Sequence, residues 1–242
     1  MFCDWYVEFA KPVLNGADAA AGAETRATAA WVLDVIFKLL HPVMPFVTEE
    51  LWAQTADLGA PREQQGFLMS ARWPDLPDSL IDPAADAEIG LVIAAITEGR
   101  SVRQELNVPL SARPPLLVVD AAEPQRSVLK AAEPLIAQLL RVSEVQFVDA
   151  APEGAIPYVV AGAGLALPVA EFIDLAAERA RLAKETATLA GEGEKLKKKL
   201  GNPDFVARAP EEVVEENRDR LTEVETARSK LEAALERLKA LA

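Results

Sequence analysis

The chain has 242 residues, half of them apolar, and a formal net charge of −13. Its single cysteine excludes an internal disulfide and a cysteine-rich zinc site, and it favours a reducing, cytoplasmic setting. No run of eighteen apolar residues is present, so we expect no membrane span. Residues 1–5 lack the basic and apolar regions of a secretory signal, and the length predicts one or two domains.

The chain opens with a series of predicted helices. Residues 2–15 are typical of the tail of a helix that ends at an Asn-Gly pair, and its uncapped start predicts that a longer polypeptide precedes it. Residues 23–41 are the most apolar segment and should form a central, buried helix. Pro42 and Pro45 end that helix and start a shorter one. The Glu49-Glu50 pair on it is expected to be a solvated first turn.

A proline- and glycine-rich connection is predicted over residues 57–83, and a further helix over 84–107. The expected anchors of the connection are Phe67, Leu68, Met69 and Trp73. The apolar face of the helix consists of Ile89, Val92, Ile93 and Ile96. From residue 113 the pattern changes to strands at 116–119, 145–148, 157–160 and 165–169, with a helix at 126–141.

Residues 171–242 are predicted to form two helical limbs, because apolar residues recur at steps of three and four as in a two-stranded coiled coil. The first seam consists of Phe172, Leu175, Leu182, Leu189, Leu196 and Leu200. The second consists of Val214, Asn217, Leu221, Val224, Arg228, Leu231, Leu235 and Leu238. Gly201 should end the first limb in the left-handed conformation, and Pro210 should open the second. The result is an antiparallel hairpin about 45 Å long that projects from the body.

Four residues modify this hairpin. The polar seam residues Asn217 and Arg228 are predicted to fix its register. Gly191 and Gly193 lie inside the first limb and should weaken it by about 1 kcal/mol each, so we expect bending or fraying there.

The predicted fold class is therefore mainly α, in three parts. These are a partial helical bundle over 1–112, a small α/β module over 113–170 and an antiparallel coiled-coil hairpin over 171–242. The module has about fifty-five residues, too few to fold alone with certainty, and we expect it to pack on the bundle as the base of the hairpin.

No constellation of residues points to catalysis or to a bound metal. His41 is the only histidine and is interpreted as structural, and Cys3 is interpreted as inert on a buried helix. The Ala161-Gly162-Ala163-Gly164 stretch has no following Lys-Ser/Thr, so it is a turn and not a phosphate-binding loop.

Charge is distributed unevenly along the chain. Residues 171–242 carry fourteen Lys/Arg and sixteen Asp/Glu, whereas residues 1–170 carry eleven and twenty-two. The hairpin also contains the only dense basic run, around residues 195–199. A locally basic feature on an acidic body can bind phosphates while the body limits non-specific association.

Several stretches resemble a known family. Residues 41–52 (HPVMPFVTEELW), 70–74 (SARWP) and 100–109 (RSVRQELNVP) are similar to the anticodon-binding helical domain of class I aminoacyl-tRNA synthetases. Residues 167–185 and the turn at 199–210 (KLGNPDFVARAP) resemble the C-terminal coiled coil of the valyl-tRNA synthetase family.

This resemblance implies a C-terminal piece of such an enzyme. In the family the bundle packs along the anticodon stem, and the arm reaches the outer corner of the tRNA. The full-length enzyme would use ATP with Mg²⁺, but the family's ATP-binding signatures and editing domain are missing here. The implied partner is valine tRNA, and the chain is expected to hold no cofactor, to be a monomer and to contact no membrane.

Eleven cations are candidate tRNA contacts. Those near the turn are Lys195, Lys197, Lys198, Lys199 and Arg208, those along the limbs are Arg179, Arg181, Arg218 and Arg220, and those on the bundle are Arg100 and Arg103. The alternative for the limb and turn residues is that they are solvated helix charges paired with glutamates. For Arg100 and Arg103 the alternative is pairing with Glu98 and Glu105.

Two other interpretations of the whole chain stay open. It could be a structural protein whose coiled coil dimerises, which sedimentation would reveal, or the equivalent region of another class I synthetase. The isoleucine enzyme commonly ends in a cysteine-bearing zinc module that one cysteine cannot build. A small intact enzyme is disfavoured by the missing catalytic constellation.

Overall fold

The computed structural model describes residues 1–57 and 66–239, which fall into two compact units that divide after Pro83. In the first unit a π-helical turn, Phe2–Tyr6, leads into three helices. These are α1 (Val7–Leu14), α2 (Ala19–Leu40) and α3 (Pro45–Asp57), followed by 3₁₀ turns at Leu68–Ser70 and Asp78–Leu80. The predicted helices and the break between Pro42 and Pro45 are confirmed. Residues 58–65 of the predicted connection lie outside the described residues.

The start of α2 follows from its sequence. The Asp18 carboxylate accepts hydrogen bonds from the backbone N–H groups of Ala20 and Ala21, both at 3.0 Å. An acidic cap of this kind satisfies two donors that the first helical turn leaves unpaired.

The core of the first unit is small. Phe37, Trp52 and Leu68 are buried together, with Leu33 and Ala71 packed against them. The indole nitrogen of Trp52 donates to the carbonyl of Gly66 at 2.9 Å, so the loop that supplies Leu68 is tied to α3.

The expectation of a central, buried α2 is wrong within this unit. Phe37 is its buried large side chain, whereas Trp31 is 46% exposed and Leu39 is 45% exposed. The reason is that α1 and α3, the helices that pack on α2, cover only part of its surface. The four residues predicted to anchor the loop also differ in burial. Leu68 is buried, but Phe67, Met69 and Trp73 are exposed.

The second unit combines a long helix, a four-stranded sheet and a helical hairpin. Its elements are α4 (Pro83–Glu105), β1 (Leu116–Val119), α5 (Gln125–Ala131), α6 (Glu133–Leu140), β2 (Val145–Val148), β3 (Ala155–Val160), β4 (Ala163–Pro168), α7 (Leu175–Leu200), α8 (Pro203–Arg208) and α9 (Glu211–Lys239). The four predicted strands are confirmed. The single helix predicted over 126–141 is instead two, because Pro134 opens a new helix at α6.

The sheet has the strand order β2-β1-β4-β3. Strand β1 runs parallel to β2 and antiparallel to β4, and β4 pairs with β3 as a hairpin. The central β1 is apolar throughout and buried over Leu116–Val118, as expected for a strand covered on both faces. The hairpin turn uses Ala161 and Gly162, both with positive φ, which matches the right-handed twist of the flanking strands.

Helix α4 packs closely against the sheet module. Val92 and Ile96 of its predicted apolar face are buried, whereas Ile89 is 44% exposed. At Gly99 the approach is so close that an added Cβ would lie 2.8 Å from both methyl carbons of Leu140 and 2.9 Å from the Tyr158 hydroxyl oxygen. The backbone of α4 can therefore approach Leu140 and Tyr158 this closely because residue 99 is a glycine and has no side chain.

The second compact unit begins at Ala84 and therefore includes α4, which the sequence analysis assigned to the bundle over 1–112. The physical cause is the contact of its last turns with the sheet module and the hairpin. Arg103 donates to the carbonyl of Arg141 at 3.1 Å, and the Glu105 carboxylate accepts from Arg237 of α9 at 2.6 Å.

The two long helices of the hairpin pair antiparallel, as predicted. Arg179 donates to the carbonyl of Leu238 at one end, and Lys199 donates to the side-chain oxygen of Asn217 at the other. The described helices have 26 and 29 residues, so the longer one extends about 43 Å.

The predicted seam is buried at Leu182, Val214, Val224 and Leu238. Three positions between its apolar residues, Glu178, Gly193 and Ala234, are buried as well. Phe172 is not part of the seam. It precedes the start of α7 and is 37% exposed.

The turn between the limbs differs from the prediction. Gly201 has φ −76° and is right-handed, so it does not end α7 as a left-handed residue. Asn202 is extended because Pro203 follows it, and this breaks the helix. The Asn202 side chain then caps the short helix α8 by accepting from the N–H of Asp204 at 3.0 Å.

Replacing Gly99 by alanine should destabilise the second unit by about 1–3 kcal/mol, because the new methyl group overlaps Leu140 and Tyr158. The matched control is Gly90→Ala on the same helix, where nothing lies within 4 Å of the added Cβ. This control should raise stability by up to about 1 kcal/mol. Urea unfolding measures both, and equal effects of the two variants would contradict the close approach at Gly99.

Replacing Gly191 and Gly193 by alanine should stabilise the hairpin by about 1 kcal/mol each. The Cβ at 191 meets open space, and the Cβ at 193 lies 3.6 Å from a methyl carbon of Val224, an ordinary contact. Thermal unfolding followed by circular dichroism measures the change. Ala187→Gly on an exposed face of the same helix should act in the opposite direction. Absence of any rise for the double alanine variant would show that the glycines do not weaken the limb.

Candidate nucleic-acid interface

The predicted basic cluster lies on the last turns of α7, beside the turn of the hairpin. Lys197, Lys198 and Lys199 occupy the last turn, where positive charge is favourable because the helix dipole places negative partial charge there. Some of the cluster is therefore explained by helix stability alone, and the contacts of each lysine decide which remain available.

Two of the four lysines are bound to the opposite limb. The ammonium of Lys197 lies 2.8 Å from the Glu225 carboxylate, and this hydrogen bond raises the pKa of Lys197. Lys199 donates to Asn217 at 3.0 Å and lies 4.8 Å from the ring centroid of Phe205. Both lysines hold the turn end of the hairpin together.

The other two lysines point to solvent. Lys195 and Lys198 are exposed, and neither forms an ion pair with another residue of the described ranges 1–57 and 66–239. Arg208 on α8 is 84% exposed in its side chain and has only a long contact of 3.9 Å with Asp204. These three cations form the available positive surface at the turn.

Two of the predicted limb cations, Arg218 and Arg220, are paired on the surface. Arg218 contacts Glu215 at 3.1 Å on its own helix. Arg220 contacts Glu192 of the opposite limb at 2.8 Å, and the hydrogen bonds to that carboxylate and to Glu223 raise the pKa of Arg220. Exposed pairs of this kind are screened by solvent and contribute little to stability, so a phosphate could replace the carboxylate at little cost.

The cations at the other end of the hairpin have structural partners. Arg181 binds Glu178 and, at 2.8 Å, Glu185, and it also donates to the backbone carbonyl of Glu105 at 3.0 Å. The hydrogen bond to Glu178 raises the pKa of Arg181. Arg179 donates to Leu238 across the hairpin. These contacts attach the hairpin to α4 and to itself, so neither arginine offers a free guanidinium to RNA.

Arg100 and Arg103 both donate hydrogen bonds to backbone carbonyls. Arg100 donates twice to the carbonyl of Leu139, at 3.0 and 2.7 Å. Arg103 is 6% exposed and donates to the carbonyls of Pro109, Ala112 and Arg141. Both therefore bind the backbone of the module, and Arg103 is too buried to contact an anticodon stem directly.

Burial is the first cause of a lowered pKa at Arg103. The neighbouring guanidinium groups of Arg141 and Arg113 lower it further. The three hydrogen-bond partners of Arg103 are neutral carbonyl groups, and none is a carboxylate.

Sequence reasoning missed Glu105 as the residue that joins three elements. Its side chain accepts from Ser101 at 3.2 Å and from Arg237 at 2.6 Å, and its carbonyl accepts from Arg181. No local pattern could reveal these contacts, because Arg181 and Arg237 lie 76 and 132 residues away in the chain.

The residues considered for catalysis have structural contacts. One ring nitrogen of His41 lies 2.8 Å from the hydroxyl of Thr48, and the other lies 3.8 Å from the Glu49 carboxylate. The expectation that Glu49 is a solvated first-turn residue is wrong. Glu49 accepts from the N–H groups of Leu68 and Met69 and so holds the loop.

Cys3 is exposed, which corrects its expected burial. Over residues 1–57 and 66–239, no three His, Cys, Asp or Glu side chains are placed to hold a metal ion. In the same ranges, no helix has the length and apolar character needed to cross a membrane.

Comparison with known proteins identifies two domain families along the chain. Residues 1–119 match the anticodon-binding domain of tRNA ligase, and residues 174–239 match the valyl tRNA synthetase tRNA binding arm. The second match covers the hairpin of α7, α8 and α9.

Curated relatives match over the whole chain. The chain is 60% identical to the valine–tRNA ligase of Caulobacter vibrioides over 98% of this chain and 26% of the relative. It is 48% identical to that of Mesorhizobium japonicum over 99% of this chain and 25% of the relative, and 44% identical to that of Brucella suis over 98% and 26%. The chain thus spans about a quarter of the length of the curated relatives it matches. With both domain matches and whole-chain relatives in agreement, the chain belongs to the valyl-tRNA synthetase family.

Proposed function

We propose that this chain is the tRNA-binding region of a valine–tRNA ligase, an enzyme that attaches valine to its tRNA with the energy of ATP. The names of the relatives support the activity, and the two domain matches support tRNA as the partner. ATP and Mg²⁺ would be bound elsewhere in the full-length enzyme, because the family's ATP-binding signatures do not occur in this sequence. The enzyme would act in the cytoplasm, with this chain as part of a monomer.

The proposal depends on the observation that some cations at the turn hold the hairpin together while others are exposed to solvent. Lys197 and Lys199 fix the geometry of the hairpin end, and Lys195, Lys198 and Arg208 stand exposed around it. A hairpin end that is already fixed suits a phosphate backbone, since little backbone conformational freedom is lost when its exposed cations bind.

Apolar groups at the same end suit the unpaired bases of a tRNA corner. Val206 is 38% exposed, and Phe205 is half-buried with the Lys199 ammonium on its ring. Exposed bases can stack on such groups without sequence readout.

The rival function, a dimerising coiled coil, has less support. Val224 of α9 is 2% exposed, and it faces Gly193 of α7, where an added Cβ would lie 3.6 Å from its methyl carbon. An apolar seam that is already covered offers little free energy for association with a second chain.

The double variant Lys195→Ala/Lys198→Ala should weaken tRNA binding and reduce the slope of log K against log salt by about two, because two phosphate contacts are lost. The matched control is Lys184→Ala/Lys230→Ala, which removes two exposed cations from the same hairpin away from the turn. Titration of valine tRNA at several salt concentrations measures both. An unchanged slope for the first variant, or an equal change in both, would contradict the assignment of the turn.

A further inference from the structure

A second positively charged surface lies in the second unit, outside the hairpin. The ends of α4 and α6 and the segment that follows α4 enclose an open groove of about 660 Å³. Its lining residues are Arg100, Arg103, Gln104, Asn107, Val108, Pro109, Leu110, Leu139, Leu140 and Arg141. They include three arginines and two amides but no carboxylate, in a chain whose acidic residues outnumber its basic ones by 38 to 25.

The structural role of the arginines accounts for only part of this arrangement. Arg100 and Arg103 bind backbone carbonyls and thereby join α4 to the module. Arg141 has no such role for its side chain, since it is exposed and forms no ion pair or hydrogen bond within the described ranges. The same holds for Arg113, which is close enough to influence Arg103.

The charge of Arg103 is also incompletely compensated. Its guanidinium is buried, and its three partners are neutral carbonyl groups. A buried cation without an anionic partner is costly, and nearby cations add repulsion. An anion in the groove would reduce both costs.

The shape and composition of the groove identify the class of anion. The amides of Gln104 and Asn107 add donors beside Arg141, and Leu110, which is 73% exposed, adds an apolar wall. Guanidinium groups match the geometry of phosphate oxygens, and an apolar wall suits a sugar or base.

We propose that this groove binds a backbone phosphate of tRNA, as a contact separate from the turn of the hairpin. The inference rests on the proposed function and deepens it, because it assigns a second point of attachment to the same partner. Arg141 is the main phosphate ligand. Arg103 is a positioning residue: it donates to the backbone carbonyl of Arg141 and attracts the phosphate electrostatically without touching it.

The test replaces Arg141 by asparagine. This residue has φ 57°, in the left-handed region that asparagine tolerates well, so the charge is removed without backbone strain. In a titration of the chain with valine tRNA, Kd should rise about tenfold, and the salt slope should fall by about one. Lys130→Asn, an exposed cation of α5 that does not line the groove, is the matched control and should change neither. Wild-type affinity and slope for Arg141→Asn would overturn the proposal.

A second measurement separates this inference from the proposed function. Inorganic phosphate is titrated into the isotopically labelled chain, and the amide resonances of Asn107 and Arg141 are followed. Saturable shifts in the wild type that vanish in Arg141→Asn support a phosphate site even if the chain fails to bind tRNA. If tRNA binds but phosphate produces no saturable shift, the groove assignment fails while the proposed function stands.

Discussion

The packing of the last turns of α4 is the constraint on which the second unit depends. Within seven residues, this helix must approach the sheet module at Gly99, bind the carbonyls beside α6 through Arg103, and accept hydrogen bonds from both limbs of the hairpin at Glu105. Each contact uses a residue type that the others could not replace. A missing side chain permits close approach, a guanidinium joins several carbonyls, and a carboxylate binds arginine.

The cations of the hairpin differ in whether they have a structural partner. The end beside α4 uses Arg181 and Arg237 for attachment, and the opposite end uses Lys197 and Lys199 to close the turn. Cations used in this way have carboxylates, amides or carbonyls as partners. Two of the hairpin lysines without an ion-pair partner among residues 1–57 and 66–239, Lys195 and Lys198, lie beside the turn, and Arg141 lies at the groove outside the hairpin. A chain that is acidic overall can thus present small positive surfaces whose affinity for phosphate depends on salt, while its net charge limits non-specific binding.

Unequal coverage of apolar surface distinguishes the two units. The hairpin seam and the central strand are buried by elements of their own unit, whereas α2 keeps Trp31 and Leu39 partly exposed. Burial was therefore predicted correctly where apolar residues recur with the spacing of a paired helix, as at Leu182 and Val224. It gave the wrong burial where a helix is apolar around its whole circumference, because such a pattern does not say how many neighbours cover it.

Most of the helices, the four strands, the antiparallel hairpin and the family could be predicted from the sequence, because periodicity, proline position and short motifs act over few residues. The sequence also located the basic run beside the turn. The availability of each of those cations and the burial of Arg103 could not be predicted in this way. The reason is the same in each case. A side chain's partner is set by residues distant in the chain, and neither Glu105 with Arg237 nor Arg103 with Arg141 shares a local pattern that a sequence could reveal.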